Sequence, residues 1–136
     1  MPKFVQIVKQ PLPRVASQGS IEDLHQHKRH SLHILANLAL HEYLRPTILA
    51  SEGIQLFMDV LKGKNSDLRN DLGARRTATK GLVNLVFTKR ELKLSVLSQL
   101  GEEIKQVQED KADPIIAGLI KTLIQGTAYA AKTFSD

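Results

Sequence analysis

Cysteine is missing from this chain, so disulfides and thiolate metal sites are excluded. The composition suits an intracellular protein, in the cytoplasm or a mitochondrion, better than a secreted one. Tryptophan is missing too, and aromatic residues supply only 4% of the sequence. The core must therefore be aliphatic, built from Leu, Ile, Val and Ala, a composition that leans towards helix. No run approaches the ~18 consecutive apolar residues of a membrane-spanning helix. A nucleophile elbow, a Walker loop, a dinucleotide fingerprint and a zinc-protease pair are all lacking. Glu102 and Glu103 are neighbours, and on a helix they diverge by about 100° instead of pairing for acid–base work. The expectation is a protein that is not an enzyme and carries no cofactor.

What is present begins with charge. Nineteen Lys and Arg against 14 Asp and Glu leave a net +5, which favours an anionic partner such as nucleic acid, an acidic peptide or a charged membrane surface. The bases are spread along the chain, a pattern also common in small subunits of large assemblies. By length the 136 residues make one domain, a helical body over 20–136 behind an extended arm at 1–19. The arm carries Lys3, Lys9 and Arg14 and no acid, as mitochondrial targeting sequences do. Pro2, Pro11 and Pro13 oppose the amphipathic helix that such a sequence needs. Phe4, Val5, Ile7 and Val8 make the arm apolar enough to lie on a neighbouring surface.

Helical periodicity fills the rest. A first long helix is expected from Ser20, with Asp23 completing a weak capping box, to about His41. Leu24, Leu32, Leu35, Leu38 and Ala39 share one face, and Arg29, His30, His33, Asn37 and His41 share the other. Pro46 suits the first turn of a short helix carrying Ile48 and Leu49. After Gly53 a third helix runs from Ile54 to Lys62, with Ile54, Phe57, Met58 and Leu61 inward and Gly63 as its C-terminal cap. A polar loop at 63–73 leads to a second long helix over about 74–87. Ala78, Leu82, Leu85 and Val86 lie inward there, and Arg76, Thr77, Lys80 and Asn84 form a polar stripe. Thr88 and Glu91 form a capping box for a helix carrying Leu92, Leu94, Val96 and Leu97. Gly101 precedes a short helix over 102–109. Asp113 caps a last helix, with Pro114 at its first position and Ile116, Leu119, Ile120, Leu123 and Ile124 on its inner face, reaching about Ala131.

Parts of this pattern recur. The stretch Ser31-Leu-His-Ile-Leu-Ala-Asn-Leu-Ala39 is followed by a short run to Gly53, and Thr77-Ala-Thr-Lys-Gly-Leu-Val-Asn-Leu-Val86 by another to Gly101. Asn37 and Asn84 are 47 residues apart, and Gly53 and Gly101 are 48 apart. A period in the forties made of helices marks an α-solenoid, whose units bury their apolar faces only by stacking. The helix order resembles the armadillo repeat. Ala36-Asn-Leu-Ala39 matches the ending of that family's third helix, Arg45 to Leu61 its first two helices, and Val83-Asn-Leu-Val86 the third-helix ending again. Thr122-Leu123 falls where the next Asn-Leu belongs. The resemblance spans about residues 24–125 and implies an all-α, right-handed α-solenoid of about two and a third armadillo-like repeats, its third helices lining a concave groove. The excess over the family's usual repeat of about 42 residues falls in the polar loop at 63–73. HEAT repeats, another helical hairpin stack and a non-repeating bundle are rival readings of the same helices.

In armadillo proteins the third-helix Asn holds the backbone of an extended peptide, since its amide offers a donor and an acceptor together. The resemblance carries that role to Asn37 and Asn84; the alternative is a bond within their own repeat. Import-receptor members place Trp one turn earlier, where this chain has His33 and Lys80. With Arg29, His30 and Arg76 nearby, the groove is expected to be basic, to repel a Lys-rich signal and to favour an acidic or phosphorylated segment. A solvated cationic face is the plainer reading. His30 and His33 share a helical face, but further metal ligands are missing, so no metal is expected. An array this short leaves apolar ends, since repeat proteins need at least about three units. Ile115, Ile116, Ile120 and Ile124 are the expected docking end face for other protein subunits. The implied function is a non-catalytic protein–protein interaction module, a small accessory or scaffold subunit of a larger complex whose basic groove holds an acidic peptide. A helical-repeat RNA-binding protein is the alternative, although aromatic platforms for bases are few.

Overall fold

The structure, a computed structural model, describes residues 18–64, 68 and 70–135, with side chains over 25–64, 68 and 70–125. The arm expected over 1–19 lies outside the described residues except for Gln18 and Gly19, which are helical. Among the described residues there are seven α-helices, one 3₁₀ turn and no strand. Helix α1 spans Gln18–Leu38. The 3₁₀ turn Glu42–Leu44 leads into α2, Arg45–Ala50, and α3, Gly53–Leu61. Then come α4, Leu72–Val86; α5, Arg90–Gln99; α6, Gly101–Gln108; and α7, Pro114–Ser135.

The helix ends differ from the sequence expectation for identifiable reasons. Helix α1 stops three residues short of His41 because Arg45 folds back on it. The Arg45 Nε donates to the carbonyl of Ala39 at 2.7 Å and Nη2 to that of Leu40 at 3.1 Å, replacing the helical amides that would have filled them. The capping box at Thr88 and Glu91 does not form. Helix α5 begins one residue later, with Lys89 at the N-cap and no side-chain bond there, while the Thr88 hydroxyl accepts from Arg45 Nη1 at 3.4 Å. Helix α7 starts as expected: the Asp113 carboxylate accepts from the backbone N–H groups of Ile115 and Ile116, each at 3.1 Å. The loop before α4 is less polar in its role than in its composition, for Leu68 is fully buried.

Helix α4 is central. It packs against α3 on one face and against α1 and α7 on others, while α1 and α7 make at most marginal contact with each other among the described residues. Leu32, Leu35, Ala36 and Ala39 from α1 meet Ala78, Leu82, Leu85 and Val86 from α4 in one core that continues through Leu56, Phe57, Met58, Val60 and Leu61 of α3 to Ile116, Ile120 and Leu123 of α7. Gly81 makes the α3–α4 approach possible. A Cβ there would stand 2.5 Å from the Phe57 ring at Cζ, well inside van der Waals contact. Of the four apolar residues expected on α5, Val96 is buried and Leu94 is exposed, and Lys93 is buried beside Val96.

Helices α1 and α4 run parallel. Arg29 meets Asp71 just before α4, and Asn84 near the end of α4 reaches Ala36 near the end of α1. Two short helices must therefore carry the chain back between them. The turns repeat as well. Helix α3 ends with Gly63 at φ 75°, and α6 with Asp110 at φ 57°. In both, the next amide reaches back five residues, Lys64 to Asp59 and Lys111 to Gln106, each at 2.8 Å. These ends are 47 residues apart, like the two Asn, whereas the N-caps Asp71 and Asp113 are 42 apart. The five extra residues sit between α3 and α4. At the 42-residue offset Ala74, Ala78 and Gly81 correspond to Ile116, Ile120 and Leu123, all buried. Gly126, rather than Thr122, then takes the place of Asn84.

Candidate functional site

Two carboxylates organise the surface where a groove was expected. Asp71 is the N-cap of α4, accepting from the Ala74 amide at 3.0 Å. Its other oxygen takes His25 Nε2 at 2.9 Å and Arg29 Nε at 3.1 Å, both from α1. Burial would raise the Asp71 carboxyl; the hydrogen bonds from Ala74 and His25 and the charge of Arg29 outweigh it and hold it below the ordinary value. Asp113 does the same for α7. Arg76 of α4 grips it with Nη2 at 2.6 Å and Nε at 3.0 Å, a two-pronged geometry that only the guanidinium fork allows. The Arg76 bond, helped by the amides of Ile116 and Ile115 against the cost of burial, pulls the Asp113 carboxyl from 3.8 to about 2. Arg29 and Arg76 each lie eight residues before an Asn. Each long helix thus holds the N-cap of the next with an arginine at the same place.

This arrangement sorts the seven residues expected in the groove. Arg29, His30 and His33 come together with Gln26, Gly73, Ala74 and Thr77 around a cleft of about 430 Å³ between α1 and the first turns of α4. No carboxylate is among those lining residues. Arg29 is committed to Asp71 through Nε, with Nη2 beside Gly73; His30 and His33 are exposed. Asn37 and Lys80 are exposed as well but do not line the cleft. Arg76 is turned towards α7 and held by Asp113. Asn84 is half-buried and donates to the Ala36 carbonyl at 2.9 Å, tying one long helix to the next. Its donor is therefore used between helices, neither on a ligand nor within its own turn.

The four isoleucines expected as an end face part company. Ile116 and Ile120 are buried in the core and Ile124 packs against it, so that only Ile115, 52% exposed, is open to solvent. Their inner-face periodicity holds, and the end-face expectation fails because α7 has neighbours on two sides, α4 and the α5–α6 pair. A second cavity of about 200 Å³ lies where α3, α4, α6 and α7 converge, and it mixes charges of both signs: Arg75, Lys111, Glu103 and Asp113. Arg75 donates to the last carbonyl of α3, Leu61, at 3.2 Å, and Glu103 pairs with Lys62 at 3.2 Å. Lys111 pairs with Glu109 and Asp113 with Arg76, so each charge here has its own partner nearby, and both signs are present, in contrast with the lining of the cleft at α1.

Sequence reasoning found three of the cleft residues and placed Thr77 on the right stripe. It passed over Asp71, read as loop, although an Asp three residues before a buried Ala at a helix start was a usable signal. Among the described residues no group of three His, Asp or Glu is placed to hold a metal ion, and no helix is long and apolar enough to cross a membrane. No protein-family model, curated protein or solved structure matches the chain.

Proposed function

We propose that this chain is a non-catalytic, armadillo-like helical-repeat module that serves as a small subunit of a protein assembly and takes an acidic segment of a partner into the α1–α4 cleft. The observation that carries this reading is the cleft's one-sided lining: Arg29, His30 and His33 with the Thr77 hydroxyl, and no acidic side chain among the described residues that line it. The parallel run of α1 and α4, with two short helices between, is the arrangement a right-handed repeat array requires. The arginines contribute less attraction than their number suggests, because Asp71 and Asp113 offset two of them. Recognition then rests on His30, His33 and, one turn along α4 from Thr77, the exposed Lys80. Asn37 stands free on the same side with donor and acceptor available.

The test is fluorescence anisotropy with a labelled glutamate-rich peptide and a labelled single-stranded RNA, each at low and high salt. The pair His33→Glu and Lys80→Glu should weaken the peptide more than tenfold, about 1.4 kcal/mol or beyond. Arg76 is unsuitable for this experiment, since its removal frees Asp113. Unchanged peptide affinity would sink the reading. RNA bound more tightly than peptide, with a steep loss on adding salt, would replace it with the nucleic-acid alternative.

A further inference from the structure

The opposite end of the same helix pair presents a surface that neither the cleft nor the core uses. Leu40 and Phe87 hold the same place in the two copies, 47 residues apart, and are 54% and 46% exposed. Tyr43, on the 3₁₀ turn beside them, is 76% exposed and leans on the His41 ring at 5.8 Å. Arg45 links the two turns through Leu40 and Thr88. Lys93 sits 4.7 Å from the centre of the Phe87 ring, and Lys89 and Arg90 are exposed on the adjoining turn. Within 39–45 and 87–93 there are four bases (Arg45, Lys89, Arg90, Lys93) and two acids (Glu42, Glu91). The tip is apolar at its points and positive around them.

These features fit a flat anionic surface with an apolar interior. The three large side chains project from turns at the end of parallel helices, so they form a tip and not a groove. Helix C-termini normally resist leaving water because their last carbonyls lack donors. Here Arg45 supplies donors to Ala39 and Leu40, removing part of that cost. Lysine stems can lie along apolar surface while their ammonium groups stay with headgroups. We propose that this tip docks on an anionic lipid bilayer, with Leu40, Tyr43 and Phe87 entering the interface and the exposed Lys89 meeting the headgroup charge. It lies roughly 15 Å along α4 from Thr77, so the bilayer and the cleft ligand engage separate residues.

The experiment is co-sedimentation of the full chain with phosphatidylcholine vesicles, with and without phosphatidylserine. The protein should pellet with the phosphatidylserine vesicles, less with pure phosphatidylcholine, and less as salt is raised. The double variant Leu40→Ser with Tyr43→Ser should lower partitioning about tenfold. Both side chains are exposed, so the variant's circular dichroism melt should match the parent. Lys89→Glu should weaken binding to the anionic vesicles alone. The His33→Glu, Lys80→Glu protein should bind vesicles like the parent. Protein left in the supernatant with phosphatidylserine vesicles overturns the proposal. So does a double variant that binds as the parent does, or vesicle binding abolished by the cleft substitutions and not by those at the tip.

Discussion

The two helical triplets, α2–α3–α4 and α5–α6–α7, share an order and are held together differently. Helix α3 buries Leu56, Phe57, Met58, Val60 and Leu61, whereas α6 buries only Val107. What α6 lacks in apolar contact is partly replaced by the Lys62–Glu103 pair and by the grip of Arg76 on Asp113. The backbone devices persist nonetheless. Both middle helices end in a left-handed residue with the same back-reaching amide, and both long helices start at an aspartate held by the previous one. Caps and turns set the path of the chain, and side-chain volume sets how tightly each triplet closes. The glycines show the same division. Gly53 opens α3 against Ile48, where a Cβ would come within 2.8 Å of a backbone oxygen, while Gly101 opens α6 with nothing within 4 Å.

Removing the largest buried ring should separate the triplets most clearly. Phe57→Ala should cost about 3–5 kcal/mol in urea unfolding, against about 1–2 kcal/mol for Val107→Ala. Equal losses would mean that the two middle helices are equally loaded, contrary to their burial. Next come the glycines. Gly81→Ala, which pushes into a fully buried ring, and Gly53→Ala should each cost about 1–3 kcal/mol. Gly101→Ala, made in open space at a helix start, should be neutral or stabilise by about 0.4–1 kcal/mol.

Acid should act on the second triplet through Asp113. Its carboxyl is depressed in the folded chain from 3.8 to about 2, so its ionised form favours folding. That contribution is complete above about pH 5 and is lost as pH falls through 4 towards 2. Melting temperatures of Asp113→Asn should be lower than the parent's near neutrality and converge on it only as pH falls to about 2. A constant gap at all pH values would show that the carboxylate's charge contributes nothing. The smallest effect is expected at the end of α6. Asp110→Gly should stabilise by about 0.5–1 kcal/mol, because a left-handed residue other than glycine is strained there. That would bring the second turn to the chemistry that Gly63 already has.

Most of the helices were legible without coordinates, and for plain reasons. Pro46, Gly63 and the Asp113-Pro114 pair dictate local backbone geometry that no distant contact needs to supply. The polar stripe on α1 was legible because Leu32, Leu35 and Ala39 mark the other face, although Lys28 and Ser31 are buried there as well. Thr88 and Glu91 misled because a capping box is only a local preference, and Arg45, 43 residues away in sequence, competes for the Thr88 hydroxyl. Arg76 and Asn84 misled in another way. Each projects from the expected stripe, yet each meets a partner on a neighbouring long helix, Asp113 at the start of the next or Ala36 on the one before, whose position no spacing reveals.

The sequence by itself determined that this chain is helical and aliphatic at its centre, because caps, breakers and 3.6-residue periodicity act over a few neighbouring residues. Only the tertiary structure decided which cations remain available and which apolar residues stay exposed. Arg76 is offset while Lys80 is open, and Ile116 is buried while Leu40 projects. Those outcomes depend on which helix lies beside which, and the docking of one long helix against another is settled by contacts more than 35 residues apart along the chain.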